Sequence, residues 1–311
     1  MPRTHPALDG LSVLERGWLS SNNVLIHAAP GEAGAWLVDT GHACHSGQTV
    51  ALVTHALAGQ ALAGIVNTHL HNDHCGGNAA LQRAFGRAAW VPASLRAAVD
   101  SWDMPRLGHA ALGHDCPRFE AGGSLAAGEF LVAGGRRWQA LAAPGHDPDS
   151  LVLFDAEAGV LISADALWED GFGTVFPELI NQPAFDDVGA TLDLIDSLPV
   201  RLVIPGHGAP FTDVAGALRR ARSRLAYFQA NPARHARHAI KGLLKFDLME
   251  RQQRPLADLL AWAQSAPSLQ PAMAAGAAHA GQTITEWCND LVLELVQGGK
   301  LRLVGAQVHN V

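Results

Sequence analysis

The chain of 311 residues is long enough for one large domain and a smaller one with a well-filled core. Its residues are 48% apolar and 16% charged, which excludes an intrinsically disordered chain, and the net charge of -7 argues against a protein that binds nucleic acid over its whole surface. The start of the chain lacks the pattern of a secretory signal, and no apolar run reaches the ~20 residues of a membrane span. We therefore expect a cytoplasmic protein without a membrane partner.

Short apolar runs, each bounded by Gly, Pro, Asp or Asn, recur through the first two-thirds of the chain and are typical of strands. The predicted strands are residues 23–27, 35–39, 64–68, 137–141, 150–154, 159–163 and 201–205. Helical patterns lie between some of them, at residues 49–57, 78–85, 93–102 and 187–198. Strands mixed with helices in this way predict a layered α/β protein.

The pattern becomes mostly helical after residue 212. A basic stretch covers residues 219–254, and its cations include Arg219, Arg220, Arg222, Arg224, Arg234, Arg237, Lys241 and Lys245. Thr283 and Glu286 form a capping box that predicts the start of the last helix, and a hairpin that turns near Gly305 is predicted after it. We predict a catalytic domain of residues 1–212 and a small, mostly helical and winged-helix-like domain of residues 213–311.

The segment "NTHLHNDHCGG" (residues 67–77) places His69, His71, Asp73 and His74 directly after a predicted strand. In an irregular loop at the end of a strand, alternate side chains can converge on one point. Imidazole and carboxylate groups are ligands that suit zinc, iron or manganese. The loop therefore predicts part of a metal site.

Three further residues follow other predicted strands or lie in turns between them. His146 lies in "APGHDPDS", Asp165 in "LISADAL" and His207 in "LVIPGHG". Each alone would more often be a turn residue or a cap. Their common position at strand ends, together with the first motif, indicates one site.

The motifs "LVDTG" (residues 37–41), "THLHNDH" (68–74), "PGH" (144–146), "SADAL" (163–167) and "PGHG" (205–208) resemble those of the metallo-β-lactamase-fold hydrolases, in the family's order. The resemblance covers roughly the first 210 residues, and the sequence looks most like the glyoxalase II and lactonase branch of the family. It implies an αββα sandwich with a dinuclear metal site at one edge of the two sheets. Two departures are Ala164, where the family usually has glycine, and "DPDS" after His146, where many members have a turn with threonine and another histidine.

The resemblance also implies a role for each site residue. One metal would be held by His69, His71 and His146, the other by Asp73, His74 and His207, with Asp165 bridging both and Asp39 bracing the ligand loop from behind. The implied cofactors are two divalent ions, of which zinc is favoured and iron or manganese are alternatives. The implied reaction is hydrolysis of a small ester, thioester or lactone by a metal-bridging hydroxide, with Asp73 as the catalytic residue that orients this hydroxide and accepts its proton.

Four residues are candidates for the substrate pocket. Trp168, Phe172 and Phe176 follow the bridging aspartate in a glycine-containing loop, where aromatic side chains either line a pocket or anchor the loop. His42 lies just beyond the Asp39 turn and either reaches the rim of the pocket or lies on the surface.

The sequence leaves other functions open. The basic stretch is either a solvated helix face that pairs with acidic residues or a surface for glutathione-like groups, coenzyme-A-like groups or RNA. A nuclease for RNA or single-stranded DNA, a mononuclear iron persulfide dioxygenase and a non-enzymatic metal-stabilised binding module are therefore alternatives to the hydrolase. We expect a small-molecule substrate; the oligomeric state is open and a homodimer would be compatible with the sequence.

Overall fold

Two sheets packed face to face dominate the computed structural model, which describes residues 5–108, 116–274, 278–279 and 281–311. The first sheet has six strands in chain order, β1 to β6, and the second has five in the order β11-β10-β9-β8-β7. The strands of the first sheet are Leu11–Leu14, Asn23–Ile26, Ala35–Val38, Leu62–Val66, Ala89–Pro92 and Ala121–Leu125. Those of the second, β7 to β11, are Phe130–Ala133, Arg136–Ala142, Leu151–Asp155, Val160–Ala164 and Leu202–Pro205.

Helices cover the outer face of each sheet. The helices α1 to α6 are Ser46–Leu57, Asn72–Cys75, Asn78–Phe85, Arg96–Ser101, Phe176–Leu179 and Phe185–Ser197, followed by α7 at Val214–Ala230. Residues of α1, α3 and α4 pack on the first sheet, whereas residues of α6 and α7 pack on the second. A third apolar cluster, which includes Ile26, Val66, Trp138 and Ile162, fills the space between the sheets. The predicted αββα sandwich is therefore confirmed.

The direction of the strands brings the segments that contain the candidate ligands to one edge of the two sheets. Strands β3, β4, β5 and β6 run parallel in the first sheet, and β10 and β11 run parallel in the second. The segments that follow β4, β10 and β11 contain six of the seven candidate ligands, and His146 follows β8, which runs in the same direction as β10 because both are antiparallel to β9. Because parallel strands end at the same edge of their sheet, these segments meet there.

The C-terminal region combines helices with a small sheet. Helices α8 to α11 are Pro232–Arg251, Leu256–Ser265, Leu269–Ala272 and Ile284–Gln297, and strands β12 to β14 are Gln253–Pro255, Leu301–Val304 and Gln307–Asn310. The capping box of α11 and the hairpin of β13 and β14 are present as predicted. In this region β14 pairs between β12 and β13. The mostly helical C-terminal region is confirmed, and its winged-helix-like character stays a prediction.

Helix α7 packs with the first region rather than with this one. Ala217, Leu218 and Ala221 of α7 share a core with Val188 and Leu192 of α6. The core of the C-terminal region instead unites residues of α8, α9 and α11. We therefore propose that the catalytic domain extends through α7, beyond the predicted boundary at residue 212.

No helix in the described part of the chain is long and apolar enough to cross a membrane.

Candidate metal centre

The motif loop turns sharply after β4. The strand ends at Val66, His71 keeps an extended backbone, and α2 begins at Asn72, so Asp73 and His74 lie in the first helical turn. This change from strand to helix within six residues directs His69, His71, Asp73 and His74 toward one region. The loop thus achieves the convergence that the sequence predicts.

A first cluster consists of three buried histidines from two segments of the chain. Nε2 of His69 lies 3.1 Å from Nδ1 of His71, which lies 2.8 Å from Nε2 of His146. The three candidate ligand atoms lie within 4.8 Å of one another. Three imidazole nitrogens at this spacing can converge on a single divalent cation.

A second cluster contains two carboxylates and two histidines. Asp73 Oδ2 lies 3.1 Å from Nε2 of His207 and 3.7 Å from Nε2 of His74. Asp165, the fourth member, lies with its Oδ1 3.4 Å from Nε2 of His74. All seven predicted ligands therefore fall into two adjoining groups.

Asp165 lies between the two clusters. Its Oδ2 is 3.4 Å from Nε2 of His146 in the first cluster, while its Oδ1 faces His74 and lies 3.8 Å from Nε2 of His207. Ala164, the preceding residue, has a φ of 46°, in the left-handed region that favours glycine. The chain therefore keeps the turn that aims Asp165 at both clusters although alanine stands where the resembling family usually has glycine.

Outer partners fix the orientation of the histidines. Asp39 accepts hydrogen bonds from the backbone N–H of Thr68 (2.9 Å), the hydroxyl of Thr68 (2.8 Å) and Nδ1 of His74 (2.8 Å). Nδ1 of His146 donates to the carbonyl of Thr174 at 2.5 Å. Such partners hold the opposite nitrogen of each ring toward the cluster, as in known metal sites.

Asp147 is a partner that the sequence analysis missed. Its Oδ2 lies 3.6 Å from Nε2 of His71, the nitrogen that points away from the first cluster. It belongs to the "DPDS" turn that departs from the resembling family, so this departure supplies a carboxylate behind a histidine of the site.

The charge states of the side chains suit a cation. Burial lowers the pKa of His69 and His71 well below the usual value, so both rings are neutral, the form in which imidazole binds metals. Burial alone would raise the pKa of Asp73 and Asp165, but His74 and His207 hold both values well below the usual range. The carboxylates are therefore ionised.

His74 supplies the test of whether a metal fits. Burial lowers its pKa, but Asp165, Asp73 and Asp39 outweigh this effect and raise the pKa well above its usual value. Its Nε2 is buried and has no hydrogen-bond partner among the described residues. The carboxylates of Asp73 and Asp165 favour a positive charge at this nitrogen, and a divalent metal bound there in place of the proton would supply it, so the residues fit a divalent metal.

A loop before β2 braces the centre. The N–H of Ser21 donates to the carbonyl of Asp73 at 2.9 Å, and the side-chain amide of Asn22 donates to the carbonyls of Pro205 (2.9 Å) and Gly208 (2.7 Å) on either side of His207. The loop therefore joins the motif segment of the first sheet to the His207 segment of the second.

The same loop carries Trp18, which the sequence analysis also missed. Its side chain is 58% exposed and stacks on the ring of His207, with centroids 5.4 Å apart and planes 10° apart. Trp168 meets both rings edge-on at 5.4 Å, and its Nε1 donates to Oδ1 of Asp165 at 3.2 Å. Together Trp18 and Trp168 form an aromatic wall beside the second cluster.

Of the other predicted pocket residues, Phe176 lies at the site and two do not. The Phe176 ring lies 5.3 Å from that of His71 and 5.4 Å from that of His146. Phe172 is 2% exposed because it packs in the core between the second sheet and its helices. His42 is fully buried, where its ring accepts a hydrogen bond from the N–H of Cys44 and contacts Asn72. The expectation that Phe172 and His42 line a substrate pocket is therefore corrected.

Comparison with known proteins bears on the family. The profile of the metallo-beta-lactamase superfamily matches residues 16–207, which include every residue of both clusters. The chain belongs to this superfamily. Its motifs, fold and ligand geometry agree with this membership.

Among curated proteins, this metallo-β-lactamase superfamily member is similar to two kinds of enzyme. It is 29% identical to a hydroxyacylglutathione hydrolase of Synechococcus sp. (strain JA-2-3B'a(2-13)) over 53% of this chain and 57% of the relative. It is 26% identical to the acyl-coenzyme A thioesterase MBLAC2 of Gallus gallus over 46% of this chain and 55% of that protein. The chain thus spans little more than half the length of these relatives.

Solved structures extend the similarity of the fold. The metallo-beta-lactamase family protein TTHA1429 of Thermus thermophilus is 21% identical, with a TM-score of 0.57 over 98% of this chain and 99% of that one. TTHA1623 in a di-iron-bound form is 25% identical, with a TM-score of 0.53 over 68% of this chain and 98% of that one. The first similarity includes the C-terminal region.

Proposed function

We propose that this protein is a dinuclear metal-dependent hydrolase that cleaves small thioesters. The position of Asp165 carries the proposal, because its two oxygens face the two ligand clusters and can bridge two cations. The curated relatives support the substrate class, since their names describe acyl groups carried by glutathione or by coenzyme A. The ester and lactone alternatives share the same centre and differ only in the leaving group.

Seven residues would hold the cations. His69, His71 and His146 would bind one ion, and Asp73, His74 and His207 the other, with Asp165 shared. Zinc suits this set of nitrogen and carboxylate donors, and iron and manganese suit it as well. When bound, two such ions would activate water and polarise the scissile carbonyl.

The chain's own residues have distinct tasks in this proposal. The carboxylate of Asp73 lies at the edge of the second cluster with 13% of its side chain exposed, so it can orient the attacking water and accept its proton. Asp39 accepts a hydrogen bond from Nδ1 of His74, which leaves Nε2 of that ring free to bind a cation. Trp18, Trp168 and Phe176 would exclude bulk water and contact the acyl group.

A hydrolysis panel on protein of measured metal content tests the proposal. Thioesters, lactones and phosphodiesters are compared at equal enzyme concentration, and we expect thioesters to give the highest kcat/KM. Asp165→Asn should lower both metal content and turnover, whereas Asp155→Asn, a buried aspartate in β9, should lower neither. Absence of thioester hydrolysis by protein holding two metals per chain would contradict the proposal.

The alternatives make different predictions in the same panel. A nuclease would favour phosphodiesters and bind RNA in a salt-dependent way. A mononuclear iron dioxygenase would hold one metal per chain and oxidise a persulfide. A non-enzymatic binding module would show no hydrolysis in the wild-type protein, so Asp73→Ala would have no activity to abolish. The second cluster argues for a dinuclear centre, because its four candidate ligand atoms also lie within 4.8 Å of one another.

A further inference from the structure

A basic cleft lies where α7, α8 and α11 meet, outside the metal centre. One lobe is a shallow, open depression of about 520 Å³ lined by residues of α7, which are Arg219, Arg220, Ser223, Arg224 and Tyr227. The second lobe is a cavity of about 600 Å³ whose polar lining includes Arg234, Arg237, His238, Lys241 and Glu294. Tyr227, half exposed, lies between the lobes and lines both.

The charge of the cleft is opposite to that of the whole chain. The described residues that line it include six arginine or lysine side chains and a single carboxylate, Glu294, which pairs with Arg237 and Lys241. Arg220 pairs with Asp170 and Asp213 at the edge of the cleft, so the cleft cations without a carboxylate partner among the described residues are Arg219, Arg224 and Arg234. Arg224 donates to Nε2 of His238 at 2.7 Å. Burial and the adjacent cations lower the pKa of His238 to about 4, so it accepts this bond as a neutral ring. The cleft therefore attracts anions although the chain carries a net charge of -7.

A short segment joins the cleft to the metal centre. It begins at Trp168, which donates to Asp165, and its Glu169 carbonyl accepts a hydrogen bond from Nε of Arg220 at 2.8 Å. From Arg220 to Tyr227 the helix extends about 10 Å farther. An elongated molecule could thus place a reactive bond at the metal centre and an anionic end in the cleft.

We propose that the basic cleft binds the phosphorylated nucleotide end of the thiol carrier in a thioester substrate, an inference that rests on the proposed thioester hydrolysis. Several arginines in one cavity match phosphate oxygens, which accept paired hydrogen bonds from a guanidinium group. The exposed Tyr227 ring between the lobes offers a surface on which a base can stack. The phosphates of a nucleotide therefore complement the positive charge of the cleft, and its base complements the exposed ring of Tyr227.

The cations outside the cleft argue against a nucleic-acid surface. Arg222 pairs with Asp193 and Asp196, and Arg254 pairs with Asp247. These ion pairs neutralise parts of the basic stretch that an extended polyanion would need. Within the cleft, three cations without a carboxylate partner among the described residues, Arg219, Arg224 and Arg234, remain for a small anionic ligand.

Calorimetric titration of the full-length, metal-loaded protein with adenosine 3′,5′-bisphosphate tests the inference. The bisphosphate should bind at least about ten-fold more tightly than S-methylglutathione, a carrier without phosphate. The double variant Arg219→Glu, Arg234→Glu should weaken it by about ten-fold or more, whereas the single charge reversal Arg83→Glu on α3, outside the cleft, should change it by less than about two-fold.

Three results would overturn the inference: no bisphosphate binding, an equal loss in Arg83→Glu, or displacement of the bisphosphate by a more tightly bound single-stranded RNA. Hydrolysis of a short thioester with an uncharged carrier, measured in parallel, separates this inference from the proposed function. If that thioester is cleaved but the bisphosphate does not bind, only the role of the cleft is wrong. If no thioester is cleaved, the proposed function is wrong.

Discussion

Replacing Asp39 by asparagine should weaken one metal site while leaving the fold intact. Asparagine tolerates the left-handed backbone of this position, where φ is 57°. If the amide nitrogen of the asparagine side chain replaces Oδ2, this N–H donor faces Nδ1 of His74. Nδ1 can accept a hydrogen bond from it only if the ring proton moves to Nε2, and Nε2 is then no longer available to bind a metal. If the amide is flipped, it opposes the N–H of Thr68 and leaves a buried donor unpaired at a cost of ~1–3 kcal/mol.

The expected loss is ~10–100-fold in the affinity of the second site, or about 1.4–2.7 kcal/mol. Metal content after dialysis against graded chelator concentrations measures it, and the variant should retain closer to one metal per chain than two. Asp155→Asn is the matched control, since Asp155 and Asp39 are both 3% exposed but Asp155 contacts Arg136 instead of a cluster residue. The reasoning is refuted if Asp39→Asn and Asp155→Asn retain the same metal content.

Four further changes have separate outcomes. Asp73→Asn should lower kcat by ~10²-fold or more through loss of the proton acceptor, and an unchanged kcat at equal metal content would contradict that role. Trp18→Ala should raise KM by ~2–10-fold for thioesters with apolar acyl groups, and an equal rise for acetyl thioesters would argue against an acyl contact. Asn22→Ala should lower the free energy of unfolding in denaturant by ~1–3 kcal/mol, and a value equal to wild type would show that its two hydrogen bonds do not brace the centre. His235 is 2% exposed, and burial, with His238 and Arg224 nearby, lowers its pKa to about 4, so its unfolded form takes up a proton first as the pH falls. The contribution of the buried, neutral ring to the free energy of unfolding is present above about pH 6.5 and is lost toward pH 4, a change of at most ~3 kcal/mol. His235→Leu should therefore make the denaturation midpoint vary less with pH over this range.

The sequence predicts the strands with both faces buried to within one residue at each end. In β9, β10 and β11 every residue is buried, so the sequence is a continuous apolar run. The missed β6 reads "AGGSL", in which glycine removes the strand signal, and the missed β1 is only partly buried along its length. Tertiary pairing forms these strands, and local composition does not report it.

The seven candidate ligands were predictable because each follows a strand or a turn next to one. Trp18 was not, since its loop reaches His207 only through the long-range hydrogen bonds of Asn22. Phe172 was misplaced for a related reason. The segment after Asp165 doubles back through a bridge between Trp168 and Gly171, which brings the first aromatic residue to the centre and sends the next into the core.

The two clusters draw their ligands from both sheets. His69, His71, Asp73 and His74 follow β4 of the first sheet, whereas Asp165 and His207 follow β10 and β11 of the second. Bound cations would therefore link the first sheet to the second, and the chain could unfold only by releasing them. By mass action each site adds about 2.7 kcal/mol when free metal is 100 times its Kd, so the lifetime of the folded chain against proteolysis would follow the supply of metal in its surroundings.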